Sequence, residues 1–208
     1  MRALALRNIL NEYIKISELG HYDKLTHTGF WREITIRTFT TGEGAVIIQV
    51  DPSNTPREKI EEIKKEMKEL FEKNEVTESL LWQEWAGVSN FADHSIPIEC
   101  LSGTLNCHEI LNGIKFSVSP NAFFQVNTKG AEVLYGIIRD WADVNDQSIV
   151  LDICCGTGSI SLFLAKSIKK VIGIEMEASA VEDAIKNRDL NGLLFYDGNL
   201  LSSLFFAF

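Results

Sequence analysis

The sequence has no apolar run of the ~18 residues that a membrane-spanning helix requires. Its beginning does not resemble a secretory signal, because Arg7 and Asn8 interrupt the first apolar stretch. The four cysteines show no spaced zinc-binding pattern, and two of them are the adjacent pair Cys154 and Cys155. We therefore expect free thiols, no metal site and no membrane contact. We predict an intracellular protein of the cytoplasm or nucleus, with the mitochondrion left open.

Basic charge is also scarce. Twenty Lys and Arg residues stand against 29 Asp and Glu, which gives a net charge of -9 at pH 7. This balance disfavours non-specific binding of nucleic acid over the whole surface, although a local basic groove remains open. The composition is otherwise ordinary, with 45% hydrophobic and 24% charged residues among 208. It predicts a folded chain of one or two domains and gives no indication of the oligomeric state.

The first 120 residues predict a small α+β domain. Residues 1–20 have the apolar spacing of a helix, and the stretches Glu33–Phe39 and Ala45–Val50 predict a β-hairpin. Thr55 as N-cap, followed by Pro56 and Glu58, predicts a capping box that opens an amphipathic helix.

Further elements complete this part of the sequence. Leu80–Trp85 predicts a strand, residues 90–106 predict a loop, and Asn112-Gly113 predicts a type I′ hairpin turn. Because two of these signals are hairpins, we expect an α+β unit rather than a parallel one.

After residue 120, predicted helices alternate with short apolar β runs. Strands are expected at Ile149–Cys154, Val171–Glu175 and Leu194–Tyr196. Helices are expected over 159–166 and 178–190, and a further helix is expected to begin with Thr128 as its N-cap. This alternation predicts a parallel, doubly wound α/β sheet. The tail, Leu200–Phe208, has no strand alternation, and we expect it to cover an edge of the first of these strands if it covers one at all.

A glycine turn follows the first of these strands. Gly156 and Gly158 lie where a strand passes into a helix, so that the backbone can approach a ligand closely. Glu175 ends the next strand roughly 20 residues further on, the separation at which an acidic residue accepts ribose hydroxyls. The spacing predicts a site for a nucleoside ligand.

Two kinds of ligand fit this spacing. A dinucleotide calls for a third glycine where Ser161 stands, and Asp152 would repel its pyrophosphate. The same carboxylate would attract the sulfonium and the α-amino group of S-adenosylmethionine. The charges therefore favour S-adenosylmethionine over NAD, and a structural turn without a ligand is the third alternative.

Several motifs resemble the RNA uracil-C5-methyltransferase family, most closely its animal tRNA (uracil-5-)-methyltransferase type. The segments that carry the resemblance are Ser119-Pro-Asn-Ala-Phe-Phe-Gln-Val-Asn-Thr128, Leu151–Gly158, Val171–Glu175 and Ala180–Ala184, with Gly29–Thr38 similar to the start of the family's central domain. The resemblance implies a Rossmann-like S-adenosylmethionine-dependent methyltransferase sheet and tRNA as the substrate. It implies that residues 1–120 form a central, RNA-side domain, incomplete at its N-terminus. Residues 121–208 would be the N-terminal half of the methyltransferase domain.

The resemblance also implies roles for single residues. Gln125 would contact the cofactor, Cys154 would line its site through the backbone, and Glu175 would bind the ribose. Asp152, Gly156 and Gly158 match the signature turn, and Asn199 matches a position on the adenine side. The predicted cofactor-binding residues of the chain are these residues without Asn199, namely Gln125, Asp152, Cys154, Gly156, Gly158 and Glu175.

The catalytic residues of the family have no counterpart in the sequence. The family's nucleophilic cysteine stands in a Ser-Cys-Asn-Pro motif, followed by a base glutamate, and neither occurs here. We expect a C-terminally truncated, marginally stable chain that is inactive alone and has no catalytic residue among its four cysteines. The alternative is a non-catalytic RNA- or partner-binding fragment of the full-length enzyme. An NAD-dependent oxidoreductase is a third reading.

Overall fold

The computed structural model describes residues 2–89, 92, 96–193 and 205–207. The chain divides into two compact units, Met1–Cys107 and His108–Phe208. No helix within these described ranges combines the length and the apolar character needed to cross a membrane.

The first unit is built on a four-stranded sheet with the order β1-β2-β3-β4. Its strands are β1 (Trp31–Thr38), β2 (Gly44–Val50), β3 (Ser79–Glu84) and β4 (Glu99–Ser102), and its helices are α1 (Arg2–Ile16) and α2 (Arg57–Lys73). The antiparallel pair β1 and β2 confirms the predicted hairpin, and β3 confirms the predicted strand. Strand β4 lies within residues 90–106, where the sequence predicted a loop, so that part of the prediction is wrong.

Strands β2 and β3 are parallel, with α2 as the crossover between them. The sequence prediction for this unit did not include a parallel pair. The signal was present in the sequence, because Ala45–Val50 is continuously aliphatic except at Gln49, and every residue of β2 is buried in the structure. Continuous burial is typical of a parallel strand covered on both faces, and a parallel connection needs a helical crossover.

The start of α2 differs from the predicted capping box. Pro56 is the N-cap of α2 and no side chain caps this helix, so the predicted box of Thr55 and Glu58 is wrong. The Thr55 N–H instead closes a turn on the carbonyl of Pro52 at 3.2 Å. The core of the unit forms where Leu6, Leu10 and Ile14 of α1 and the apolar face of α2 pack with Trp31 and Trp82.

A buried lysine lies on α2. The Lys64 side chain is 5% exposed, and its Nζ lies 2.6 Å from Glu99 and 3.3 Å from both Glu61 and Glu84. Arg57 pairs with the same Glu84 carboxylate at 2.7 Å. Burial would lower the pKa of Lys64, but the hydrogen bonds to the three carboxylates raise it.

The second unit opens with the hairpin of β5 (Cys107–Leu111) and β6 (Ile114–Val118). Asn112 and Gly113 have φ angles of 50° and 71°. Two successive positive φ angles define the type I′ turn, and the hairpin prediction is confirmed.

In the described part of the chain, the second unit continues with a three-stranded sheet of the order β7-β8-β9 and with three helices. The elements are α3 (Thr128–Ala142), β7 (Ile149–Ile153), α4 (Ser159–Ala165), β8 (Lys170–Ile174), α5 (Ala178–Leu190) and β9 (Phe205–Ala207). The parallel pair of β7 and β8, with α4 between them, confirms the predicted doubly wound pattern.

The tail differs from its prediction. Residues Phe205–Ala207 form a strand, and they pair antiparallel with β8 rather than beside β7. Within the described sheet β7 is therefore an edge strand, and the expected cover of its edge by the tail is wrong. The predicted strand Leu194–Tyr196 lies outside the described residues.

Candidate cofactor-binding site

The loop between β7 and α4 is a sharp turn with three left-handed residues. Cys154, Gly156 and Gly158 have φ angles of 62°, 56° and 78°. Cys155 extends the β7–β8 pairing by donating its N–H to the carbonyl of Ile174 at 3.1 Å. Glycine adopts this conformation freely, whereas a left-handed backbone at Cys154 costs roughly 1–2 kcal/mol. The predicted signature turn is thus a constrained backbone structure.

Glu175 fixes this turn. It follows β8, and its Oε2 accepts the N–H of Gly156 at 2.9 Å. Its Oε1 accepts the N–H groups of Met176 at 2.8 Å and Glu177 at 3.0 Å. Burial raises the pKa of Glu175, but these backbone donors outweigh it, and the net shift is downward. A carboxylate has about four acceptor positions, so one remains for a ligand hydroxyl.

Asp152 places a second carboxylate near the same turn. It is half-buried in β7, and its Oδ2 accepts the hydroxyl of Ser161 on α4 at 2.6 Å. Burial raises the pKa of Asp152, and repulsion from Glu175 raises it further. Two neighbouring carboxylates that repel each other favour a ligand with positive charge.

The two cysteines of the turn differ. Cys154 is exposed and Cys155 is buried. Burial, with the charges of Asp152 and Glu175, raises the pKa of Cys155 to about 12. Burial also raises the pKa values of Cys100 and Cys107. Since the thiolate is the nucleophilic form, these shifts work against a catalytic role for the three thiols.

Gln125 lies in the segment between β6 and α3. Its side chain is half-buried, between buried Phe124 and exposed Val126. Within the described part of the chain, no hydrogen bond joins Gln125 to the turn. The structure thus brings together five of the predicted residues, Asp152, Cys154, Gly156, Gly158 and Glu175. Asn199 lies outside the described residues.

The start of α3 also differs from the prediction. Asn127, not Thr128, is the N-cap, and its side chain accepts the N–H of Gly130 at 2.9 Å. The Thr128 hydroxyl donates instead to buried Glu109 at 2.8 Å. The Thr128 side chain thus provides a hydrogen bond to a buried carboxylate. The spacing of residues within one segment gives no indication of a partner as distant as Glu109.

Sequence reasoning missed the side chains that support the turn. Tyr135 of α3 contacts the hydroxyl of Ser159 at the start of α4, at 2.8 Å. Asn187 of α5 donates to the carbonyl of Thr157 at 3.3 Å. The only signal in the sequence that could have indicated Tyr135 and Asn187 is that each is a polar residue at a helix position that faces the interior.

The residues present fit S-adenosylmethionine. A Cβ placed on Gly156 would meet no atom within 4 Å, so there is open space beside the turn. The carboxylates of Asp152 and Glu175 are near that space, and the carboxylate of Glu175 keeps one position that can accept a hydrogen bond from a ligand. Among the described residues, no group of three His, Cys, Asp or Glu side chains could hold a metal ion.

The comparisons identify the class of domain. Residues 144–202 match a family model described as a methyltransferase domain. The fold is similar to the crystal structure of Pyrococcus abyssi tRNA (uracil-54, C5)-methyltransferase in complex with S-adenosyl-L-homocysteine. The TM-score is 0.64 at 23% identity, covering 89% of this chain and 43% of that one. Residues 144–202 thus carry a methyltransferase domain, and the chain has the Rossmann-like fold of that enzyme, so the predicted fold class is confirmed.

Curated relatives of similar sequence indicate a more specific group of methyltransferases. The chain is 39% identical over 186 residues to human tRNA (uracil-5-)-methyltransferase homolog A, which covers 88% of this chain and 30% of that protein. It is 39% identical over 170 residues to homolog B of Pongo abelii, covering 79% and 35%. The chain is therefore related to the tRNA (uracil-5-)-methyltransferases, as its motifs predicted. It spans about a third of the length of these curated relatives.

Proposed function

We propose that this chain is the cofactor-binding part of an S-adenosylmethionine-dependent tRNA (uracil-5-)-methyltransferase. The observation that carries the proposal is the contact of Glu175 with Gly156. It brings an ionised carboxylate to a glycine turn beside open space, which is the geometry that a ribose and a cationic methyl donor need.

Each residue of the turn has a role in this proposal. S-adenosylmethionine would supply an electrophilic methyl group on a sulfonium. Glu175 would accept a ribose hydroxyl with its remaining acceptor position, and its charge with that of Asp152 would favour the cation. Gly156 and Gly158 would leave room for the ligand, Cys154 would line the site through its backbone, and Gln125 would reach the cofactor from the segment before α3.

The substrate of the proposed enzyme is a uridine in tRNA, and its localisation remains the predicted interior of the cell. The division of labour predicted from the sequence, with an RNA-side domain over 1–120 and the methyltransferase domain over 121–208, stays a prediction. The sequence as printed contains no Ser-Cys-Asn-Pro segment, and burial disfavours the thiolates of Cys100, Cys107 and Cys155. We therefore expect the chain alone to transfer no methyl group.

Titration calorimetry with S-adenosylhomocysteine and with NAD tests the proposal. We expect saturable binding of S-adenosylhomocysteine and none of NAD. The reverse result would assign the turn to a dinucleotide and remove the methyltransferase proposal. Transfer of labelled methyl groups to tRNA by this chain alone would contradict the expected inactivity and leave the cofactor assignment intact.

The second candidate is a non-catalytic RNA- or partner-binding fragment. The observation that favours it is the exposed apolar face of β7, formed by Ile149, Leu151 and Ile153. A filter-binding titration with tRNA across salt concentrations distinguishes RNA from protein partners. A steep loss of affinity with salt indicates phosphate contacts, and the net charge of -9 makes us expect weak binding.

A further inference from the structure

One buried amide connects three elements of the second unit. Asn187 of α5 is 0% exposed. Its Oδ1 accepts the N–H of Ser117 in β6 at 2.7 Å, and its Nδ2 donates to the carbonyl of Thr157 at 3.3 Å. The two partners determine the orientation of the amide, because an N–H needs the oxygen and a carbonyl needs the nitrogen.

Asn187 is the middle one of three polar residues spaced four apart along the same side of α5, and the last of them, Asn191, is the C-cap of this helix. Asp183 accepts the hydroxyl of Ser119. Asn191 accepts the N–H of Lys115 at 3.0 Å and donates to its carbonyl at 2.7 Å. These three side chains hold α5 against β6 and Ser119. Among the described contacts of the three, only the hydrogen bond from Asn187 to Thr157 reaches the glycine turn.

The turn is closed by one backbone hydrogen bond, from the Gly158 N–H to the Cys155 carbonyl at 3.0 Å, and side chains add to this support. Glycine on both sides of Thr157 gives the unbound chain many conformations, and ordering them is unfavourable in entropy. Glu175 holds the turn at the Gly156 N–H, and Asn187 holds it from the other side at the Thr157 carbonyl. Fixing a peptide group at its carbonyl also fixes the direction of the N–H that follows it. That N–H belongs to Gly158 and donates to the carbonyl of Cys155, so the contact of Asn187 helps to keep the turn closed.

We propose that Asn187 is a positioning residue for the cofactor site, one that holds the Thr157 carbonyl in place and so keeps the glycine turn in the shape that the ligand meets. The inference rests on the proposed function, because it assigns Asn187 to the binding of S-adenosylmethionine. Asn187 touches no ligand itself and acts through the backbone of the turn.

Asn191 provides a matched control. Asn187→Leu and Asn191→Leu each remove two side-chain hydrogen bonds to the backbone outside α5, and only the first removes the contact with Thr157. We expect both variants to lose stability. We expect only Asn187→Leu to lower the affinity for S-adenosylhomocysteine at least tenfold. The affinity of Asn191→Leu should stay within about twofold of that of the unchanged chain.

Hydrogen exchange in the absence of ligand separates this inference from the proposed function. Amides of residues 156–161 should exchange faster in Asn187→Leu than in Asn191→Leu at equal overall stability. Equal exchange and equal affinity in the two variants would overturn the inference alone. Failure of the unchanged chain to bind S-adenosylhomocysteine would overturn the proposed function and, with it, the assignment of Asn187 to that ligand.

A measurement on the unchanged chain covers the case in which Asn187→Leu does not fold. The side-chain amide signals of Asn187 and Asn191 can be followed by nuclear magnetic resonance as S-adenosylhomocysteine is added. The inference expects the Asn187 amide to shift and the Asn191 amide to stay. A shift of neither, or of both by the same amount, contradicts it.

Discussion

Glu175 accepts the backbone N–H of Gly156, 19 residues earlier in the chain, at 2.9 Å. The contact joins the end of β8 to the turn that follows β7, so that the carboxylate proposed to bind the ribose also shapes the turn. The sequence predicted the acidic residue for the ribose alone. Its structural contact with the turn means that a substitution at Glu175 should affect ligand binding and folding together.

Glu175→Gln should therefore lower the affinity for S-adenosylhomocysteine at least tenfold and lower the free energy of unfolding by about 1–3 kcal/mol. The glutamine amide has a single oxygen, and it cannot serve the N–H groups on both sides. Glu182→Gln, at an exposed position of α5, removes the same charge away from the turn and is the control. Calorimetry and urea unfolding measure the two effects, and equal affinity in both variants would show that only net charge matters.

The sequence predicted the second unit well because its signals are local. A short apolar run, glycines at a turn and an acid after the next strand each come from one segment, and the structure places Gly156 and Glu175 in contact. The exceptions depend on distant partners. Thr128 does not cap α3 because Glu109 takes its hydroxyl, and the contact of Asn187 with Thr157 spans 30 residues. Spacing along one segment carries no information about such pairs.

The thiols of the turn give a test of the cofactor site. Cys154 is exposed, whereas Cys155 is buried with its pKa raised to about 12. At pH 7, N-ethylmaleimide should modify Cys154 and leave Cys155 intact until the chain unfolds, because almost no thiolate forms that far below the pKa.

S-adenosylhomocysteine should slow the modification of Cys154 if this residue lines the site. Exposed Cys100 in the first unit is the control, and its rate should not change with ligand. Peptide mass spectrometry reads both rates from one sample. Modification of Cys154 at an unchanged rate in the saturated complex would show that the ligand does not cover its side chain, which would leave only the backbone of Cys154 as a possible part of the site.

The ion pairs of Lys64 should make the first unit sensitive to acid. Burial would raise the pKa of Glu84, but hydrogen bonds from Arg57 and Lys64 hold it below its ordinary value of 4.5. A carboxyl with a lowered pKa in the folded state stabilises that state above pH 4.5. This contribution disappears as the pH falls through the folded-state pKa. The free energy of unfolding should therefore fall as the pH goes below 4.5.

Lys64→Met should lower the free energy of unfolding by about 1–3 kcal/mol at pH 7 and by less at pH 3, where protonation already weakens these pairs. Lys65→Met is the control, because Lys65 and its partner Glu69 are both exposed and lie 3.8 Å apart. Urea unfolding at the two pH values measures the difference. A loss for Lys64→Met that is the same at both values would show that packing, not the ion pairs, is responsible.

The exposed face of β7 should make the chain associate with itself. Ile149, Leu151 and Ile153 are 62%, 58% and 68% exposed, and β7 is an edge strand of the described sheet. An apolar edge strand offers both unpaired backbone groups and apolar area to a second strand. We expect the apparent mass to rise with protein concentration in sedimentation or light scattering.

Leu151→Lys should reduce this association without lowering the thermal midpoint, because the side chain is exposed and a charge on an edge strand opposes pairing. Leu25→Lys, at an exposed position of the first unit, is the control and should leave the association unchanged. A chain that stays monomeric at every concentration and unfolds cooperatively above ~60 °C, the upper end for mesophile domains, would contradict the expected marginal stability. Such a result would mean that β7 tolerates exposure, and it would weaken the case for a partner on this face.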